Sequence, residues 1–125
     1  MAESLGTEHW PLEIRVKRAE RRLEIDFDNG AAFAYPAELL RVESPSAEVQ
    51  GHSAGQKQIV AGKRDVAITG VEPVGHYAVR IAFDDGHQTG LFSWTYLYEL
   101  GERQDEIWKG YLDALAERGL GRDRP

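Results

Sequence analysis

The sequence predicts an α+β fold: a small, mostly antiparallel β-sheet domain made of two hairpin-plus-helical-turn units, with a C-terminal amphipathic helix. Three observations carry this. The segment Leu23-Glu24-Ile25-Asp26-Phe27-Asp28-Asn29-Gly30 returns as Val79-Arg80-Ile81-Ala82-Phe83-Asp84-Asp85-Gly86. Both copies lead through aromatic residues into helix-like stretches, Pro36-Ala37-Glu38-Leu39-Leu40 and Trp94-Thr95-Tyr96-Leu97-Tyr98. Beyond Glu102 the apolar residues Ile107, Trp108, Tyr111, Leu112 and Leu115 recur at helical spacing.

Taken in order, residues 1–10 are polar and read as a disordered N-terminus, with order starting at Trp10-Pro11. Leu12, Ile14 and Val16 alternate with charged residues, the period-2 pattern of a half-buried strand. Leu23, Ile25 and Phe27 repeat it, and Arg18–Arg22 joins the two strands. Asn29-Gly30 tolerates positive φ and reverses the chain, so Ala31–Tyr35 returns as a third strand before a short helix at Ala37–Arg41. Ser44 is placed to cap one turn, with Pro45 at its first position, and Gly51–Lys57 reads as an exposed loop. Val66–Val71 and His76–Phe83 are strands about a turn at Glu72-Pro73-Val74-Gly75. Gly90–Trp94 and a helical turn to Gly101 close the second unit, so the domain spans 11–101. The last helix takes 102–120, laid across a six-stranded sheet or partly against a partner, and 121–125 reads as a disordered tail.

The 125 residues suit one domain. No apolar run nears the roughly 20 residues needed to span a bilayer, the start lacks a signal-peptide pattern, and a cytoplasmic location is expected. With no cysteine, disulfides and thiolate metal sites are excluded. The net charge is −6. Residues 1–64 hold nine Lys/Arg against ten Asp/Glu, and 65–125 hold six against eleven. That balance disfavours nucleic acid, whose phosphates need a basic face. Arg15, Lys17, Arg18, Arg21 and Arg22 form one basic cluster, read as a solvated turn surface or an anion patch.

Catalytic signatures are missing. There is no phosphate-loop motif, no Gly-x-Ser-x-Gly elbow and no His-x-Asp/Glu pair for non-haem iron. Asp84, Asp85 and His87 suggest a metal cluster, but Asp-Asp-Gly is turn chemistry and adjacent strand-end residues point to opposite faces. Trp94, Tyr96 and Tyr98 form an aromatic group that suits ligand stacking or a packed corner.

Leu39-Leu40-Arg41-Val42-Glu43-Ser44-Pro45-Ser46-Ala47-Glu48-Val49, with Asp84-Asp85-Gly86-His87 and Ser93-Trp94-Thr95-Tyr96-Leu97, resembles the N-terminal domain of gamma-butyrobetaine hydroxylase. The likeness covers about residues 11–101 and is strongest to small stand-alone bacterial proteins of unknown function. It implies a β-rich module with one structural zinc, held by a Cys-x-Cys-x-x-Cys run and a distant histidine. Those positions fall here on Ser44, Ser46, Val49 and His87. Zinc wants four N or S donors, and three are gone, so no metal and no other cofactor is expected. The oxygen chemistry of the hydroxylases belongs to a separate domain, and similar modules are fused to ATPases connected with iron–sulfur assembly.

The expected function is therefore a non-catalytic accessory or protein-interaction module without the zinc, its partner another protein rather than nucleic acid or membrane. The candidate surface comprises Arg41, His52, His87, Trp94 and Tyr96, beside the Ser44–Gly55 loop. Two alternatives stand: a metal or iron–sulfur maintenance protein with a transient site near His87 and His52, and an enzyme acting on a small anionic substrate near Arg41 and His87.

Overall fold

The computed structural model describes residues 9–51 and 57–124. Ten elements follow in order: β1 (Pro11–Lys17), β2 (Arg22–Phe27), β3 (Ala32–Pro36), α1 (Ala37–Val42), α2 (Ala47–Gln50), β4 (Ile68–Val74), β5 (Ala78–Phe83), β6 (Leu91–Ser93), α3 (Trp94–Glu102) and α4 (Gln104–Glu117). The strands form two three-stranded antiparallel sheets, β1-β2-β3 and β4-β5-β6, instead of one six-stranded sheet. Strands pair only within their own unit, and the two sheets share a core instead of an edge. Leu23, Ile25, Phe27 and Tyr35 from the first meet Ile68, Val79, Ile81, Phe83 and Phe92 from the second.

The sequence repeat is also a repeat of hydrogen bonds. In the first unit the Phe27 carbonyl accepts from Gly30 N–H at 3.1 Å, and Phe27 N–H donates to Ala31 at 2.8 Å. Phe83 does the same with Gly86 and His87, at 3.1 and 2.9 Å. Gly30 and Gly86 sit at φ 91° and 92°, a left-handed conformation that a side chain disfavours. The Asn29 side chain accepts from Ala31 N–H and the Asp85 side chain from His87 N–H, at 3.1 and 3.0 Å. Asp28 and Asp84 bind back to the strand start of their own unit, at Trp10 and Ala67.

Three expectations need correction. The β4–β5 turn lies beyond Val74, because Pro73 sits on an edge strand opposite Val79, where a missing N–H costs little. Helix α2 starts at Ala47 with Ser46 as its flanking residue and no side-chain cap; Ser44 does not cap it. Helix α4 does not lie across a sheet. Tyr111 and Leu115 pack with Val42 of α1 and with Ile59, Val60 and Ala61, and Gln104 donates to the Ala34 carbonyl at 3.0 Å.

The chain after α4 is also engaged. Gly119 N–H bonds Ala116 and Leu120 N–H bonds Leu115, with Gly119 at φ 66°, the paired closure of a Schellman motif. Residues 121–124, expected as a loose tail, then run beside 62–64. Gly62 N–H donates to Gly121 at 3.0 Å and Arg64 N–H to Arg122 at 2.9 Å. Among the described residues no helix is long and apolar enough to cross a membrane.

Candidate functional site

The second hairpin turn brings His87 against the segment between α1 and α2. His87 Nε2 lies 2.9 Å from Ser44 Oγ and 3.4 Å from Ser46 Oγ. His87 Nδ1 lies 3.2 Å from Glu48 Oε1, which also accepts from the Thr89 hydroxyl at 3.1 Å. A carboxylate only accepts, so Nδ1 carries the proton and the Nε2 lone pair accepts from the Ser44 hydroxyl. Ser44 is wholly buried, and Ser46 and the His87 ring are nearly so.

Behind the ring, Asp85 is the hub. One oxygen accepts from His87 N–H, and the other takes Arg41 Nε at 2.7 Å and Lys63 Nζ at 2.6 Å. Burial works to raise the Asp85 carboxyl, but Lys63, the His87 N–H and Arg41 outweigh it and hold it far below the usual carboxylate range. For His87 burial dominates, helped by the Arg41 charge, and lowers the imidazole below its ordinary value despite Glu48 and Asp85. Arg41 Nη1 is a buried donor without a partner.

Ser44, His87 and Glu48 stand in the order of a nucleophile, its base and the base's orienting carboxylate. The resemblance ends at access. Ser44 is 0% exposed, and a side chain on Gly90 would collide with its hydroxyl, so backbone covers the oxygen. A substrate carbonyl cannot reach it.

The donor set does not fit structural zinc either. Two hydroxyls and one imidazole converge, and the fourth position is the buried Val49, whose N–H bonds the Ser46 carbonyl at 3.1 Å. A serine hydroxyl stays protonated at neutral pH and valine has no lone pair. No group of three or more His, Asp or Glu side chains placed to hold a metal occurs among the described residues.

The expected docking surface is mostly interior. Trp94 is 7% exposed, with its indole N–H on the His76 carbonyl at 2.9 Å. The Tyr96 hydroxyl donates to the Glu43 carbonyl, and burial pushes that phenol up. Arg41 is bound to Asp85, and the first part of the Ser44–Gly55 loop buries Ser44, Ser46 and Val49. His52 lies outside the described residues. The structure thus gathers Arg41, Ser44, Ser46 and His87 into one cluster and leaves Trp94 and Tyr96 in the packed corner. Two members of the basic cluster are paired: Arg15 binds Glu24 and Asp26 across the β1–β2 pair, and Arg22 binds Glu24.

Sequence reasoning missed Glu48, Asp85 as a hub, and Lys63. Asp85 was detectable, since it occupies the position of Asn29 in the repeat and makes the same bond. Lys63 carries no local signal, because its partner lies in another unit.

Residues 14–98 match the family model described as gamma-butyrobetaine hydroxylase-like, N-terminal. Two NMR solution structures are similar at TM-score 0.81. One is 45% identical and covers 94% of this chain and 92% of that one; the other is 44% identical and covers 99% and 92%. A crystal structure from Acidithiobacillus ferrooxidans, of a protein of unknown function in the DUF971 family, is 45% identical at TM-score 0.62, covering 73% of this chain and 91% of that one. No curated protein matches. On the extent of that family match, over a fold and a His87 junction built from the same segments, the chain belongs to the gamma-butyrobetaine hydroxylase-like N-terminal family.

Proposed function

We propose that this chain is a non-catalytic protein-interaction module in which a hydrogen-bonded clasp replaces the family's zinc staple. One observation carries the reading: His87 Nε2 is bonded to the fully buried Ser44 hydroxyl while Glu48 holds the other ring nitrogen. Every atom of the imidazole that chemistry would need is engaged inside the fold. A clasp of this kind ties α2 to the second hairpin and leaves the module's outer surfaces free for a partner.

Cross-linking in cell extract, with and without a strong chelator, tests it. The expected result is a reproducible partner whose capture the chelator does not change. Capture that vanishes with metal removal contradicts it, as does a small-molecule turnover that His87→Ala abolishes.

The lone pair of His87 Nε2, facing two hydroxyl oxygens, favours one second reading: a metal or iron–sulfur maintenance protein with a transient site. Metal titration followed through the imidazole NMR signals separates the two. Micromolar binding at His87 supports the second reading, and no binding supports the clasp.

A further inference from the structure

The segment after α4 behaves as a ligand of the domain that carries it. Arg122 makes a two-pronged contact with Glu38 of α1, Nε to one oxygen at 2.9 Å and Nη2 to the other at 2.7 Å. Its guanidinium carbon sits 5.3 Å from the centre of the Trp108 ring. Glu38 is a buried carboxylate, 5% exposed, in an apolar helix between Ala37 and Leu39. Buried carboxylates are costly without a partner, and a planar fork over an indole is the geometry arginine offers and lysine does not.

The backbone completes the arrangement. Gly121 and Arg122 accept from Gly62 and Arg64 N–H groups, and Arg64 pairs with Asp123. Two backbone hydrogen bonds thus tie the segment to the 62–64 loop, with the Arg122 side chain set against Glu38 and over Trp108. The occupant is nonetheless partly open to solvent. Arg122 is 30% exposed, Leu120 is 44% exposed, and a cleft of about 370 Å³ opens between 61–62 and 119–123.

We infer that Glu38, Trp108 and the 62–64 loop form an arginine-recognition site, filled here in cis by Arg122 and available to an arginine-bearing segment of a partner protein. This deepens the docking reading above, and rests on it for the partner; the preference of Glu38 and Trp108 for a guanidinium stands on the contacts alone. The tethered tail competes at a millimolar-scale effective concentration, so the site is weak toward outside peptides until the tail is disarmed.

The test titrates the amidated peptide Gly-Leu-Gly-Arg-Asp into full-length Arg122→Ala protein, followed by the Trp108 indole NMR signal. Saturable binding is expected, at least tenfold tighter than to wild type. Replacing the peptide arginine by citrulline or lysine should weaken it at least tenfold, as should adding Glu38→Gln. Equal binding of the arginine and lysine peptides, or no binding, overturns the inference and leaves the extract cross-linking result untouched. Should Arg122→Ala unfold, Arg122→Lys is assayed by its melting temperature. Stabilisation by free arginine amide beyond that given by lysine amide supports the site, and equal effects overturn it.

Discussion

At the scale of single residues, the identity of one histidine's hydrogen-bond partners decides how the module is held. Ser44→Ala leaves the buried Nε2 acceptor of His87 without its 2.9 Å donor. The expected loss is about 1–3 kcal/mol, the cost of orphaning a buried polar atom, read from urea denaturation. The same ring makes stability depend on pH. Folding lowers the His87 value below the ordinary 6.5. Above that pH both states hold a neutral ring and stability is complete. As pH falls through 6.5 the unfolded chain takes up the proton first, so stability drops toward the lower folded value. Asp85, also lowered on folding, adds a second loss once pH falls below its ordinary 3.8. Denaturation at pH 7 and pH 5 should show a decline that His87→Gln flattens; an unchanged slope in that variant contradicts the assignment.

At the scale of elements, helix α3 sends Trp94, Leu97 and Leu100 into the core. Trp94→Ala should cost about 3–5 kcal/mol as a large buried side chain is lost, with its indole partner at His76 left unpaired. Reduced partner capture by that variant would therefore report unfolding, and a stable, well-folded Trp94→Ala protein would contradict the packing. Gly101 near the end of α3 faces the Phe33 ring so closely that an added methyl collides with it. Gly101→Ala should cost about 1–3 kcal/mol through overpacking, checked by thermal melting. The strands, the two glycine turns and the starts of α1 and α3 were legible, because period-2 alternation and turn chemistry are local. The end of β4 was not, since Pro73 and Gly75 look like a turn until Pro73 is known to sit on an edge. Which of its two readings the Trp94 and Tyr96 group would follow was not legible either: their polar tips are satisfied by backbone carbonyls of distant residues. Composition says nothing of where those carbonyls lie.

At the scale of the whole molecule, two meanders related by a sequence repeat close on one core, and the first and last described segments fold back onto it. His9 stacks on Tyr98 with ring centres 3.8 Å apart, and Arg122 returns to Glu38. Neither return was legible, because each joins residues far apart in the sequence through side chains that look like ordinary surface. The convergence of Ser44 and Ser46 on His87 was legible only through the family resemblance, because nothing in their spacing points to a histidine more than forty residues away. Thermal melting after exhaustive chelation, with and without added zinc, tests the clasp most directly when wild type is run beside the triple variant Ser44→Cys, Ser46→Cys, Val49→Cys. The predicted result is a wild-type melting temperature indifferent to both treatments and a triple variant that zinc stabilises. A wild-type protein that carries stoichiometric zinc, or melts lower once stripped of it, contradicts the account.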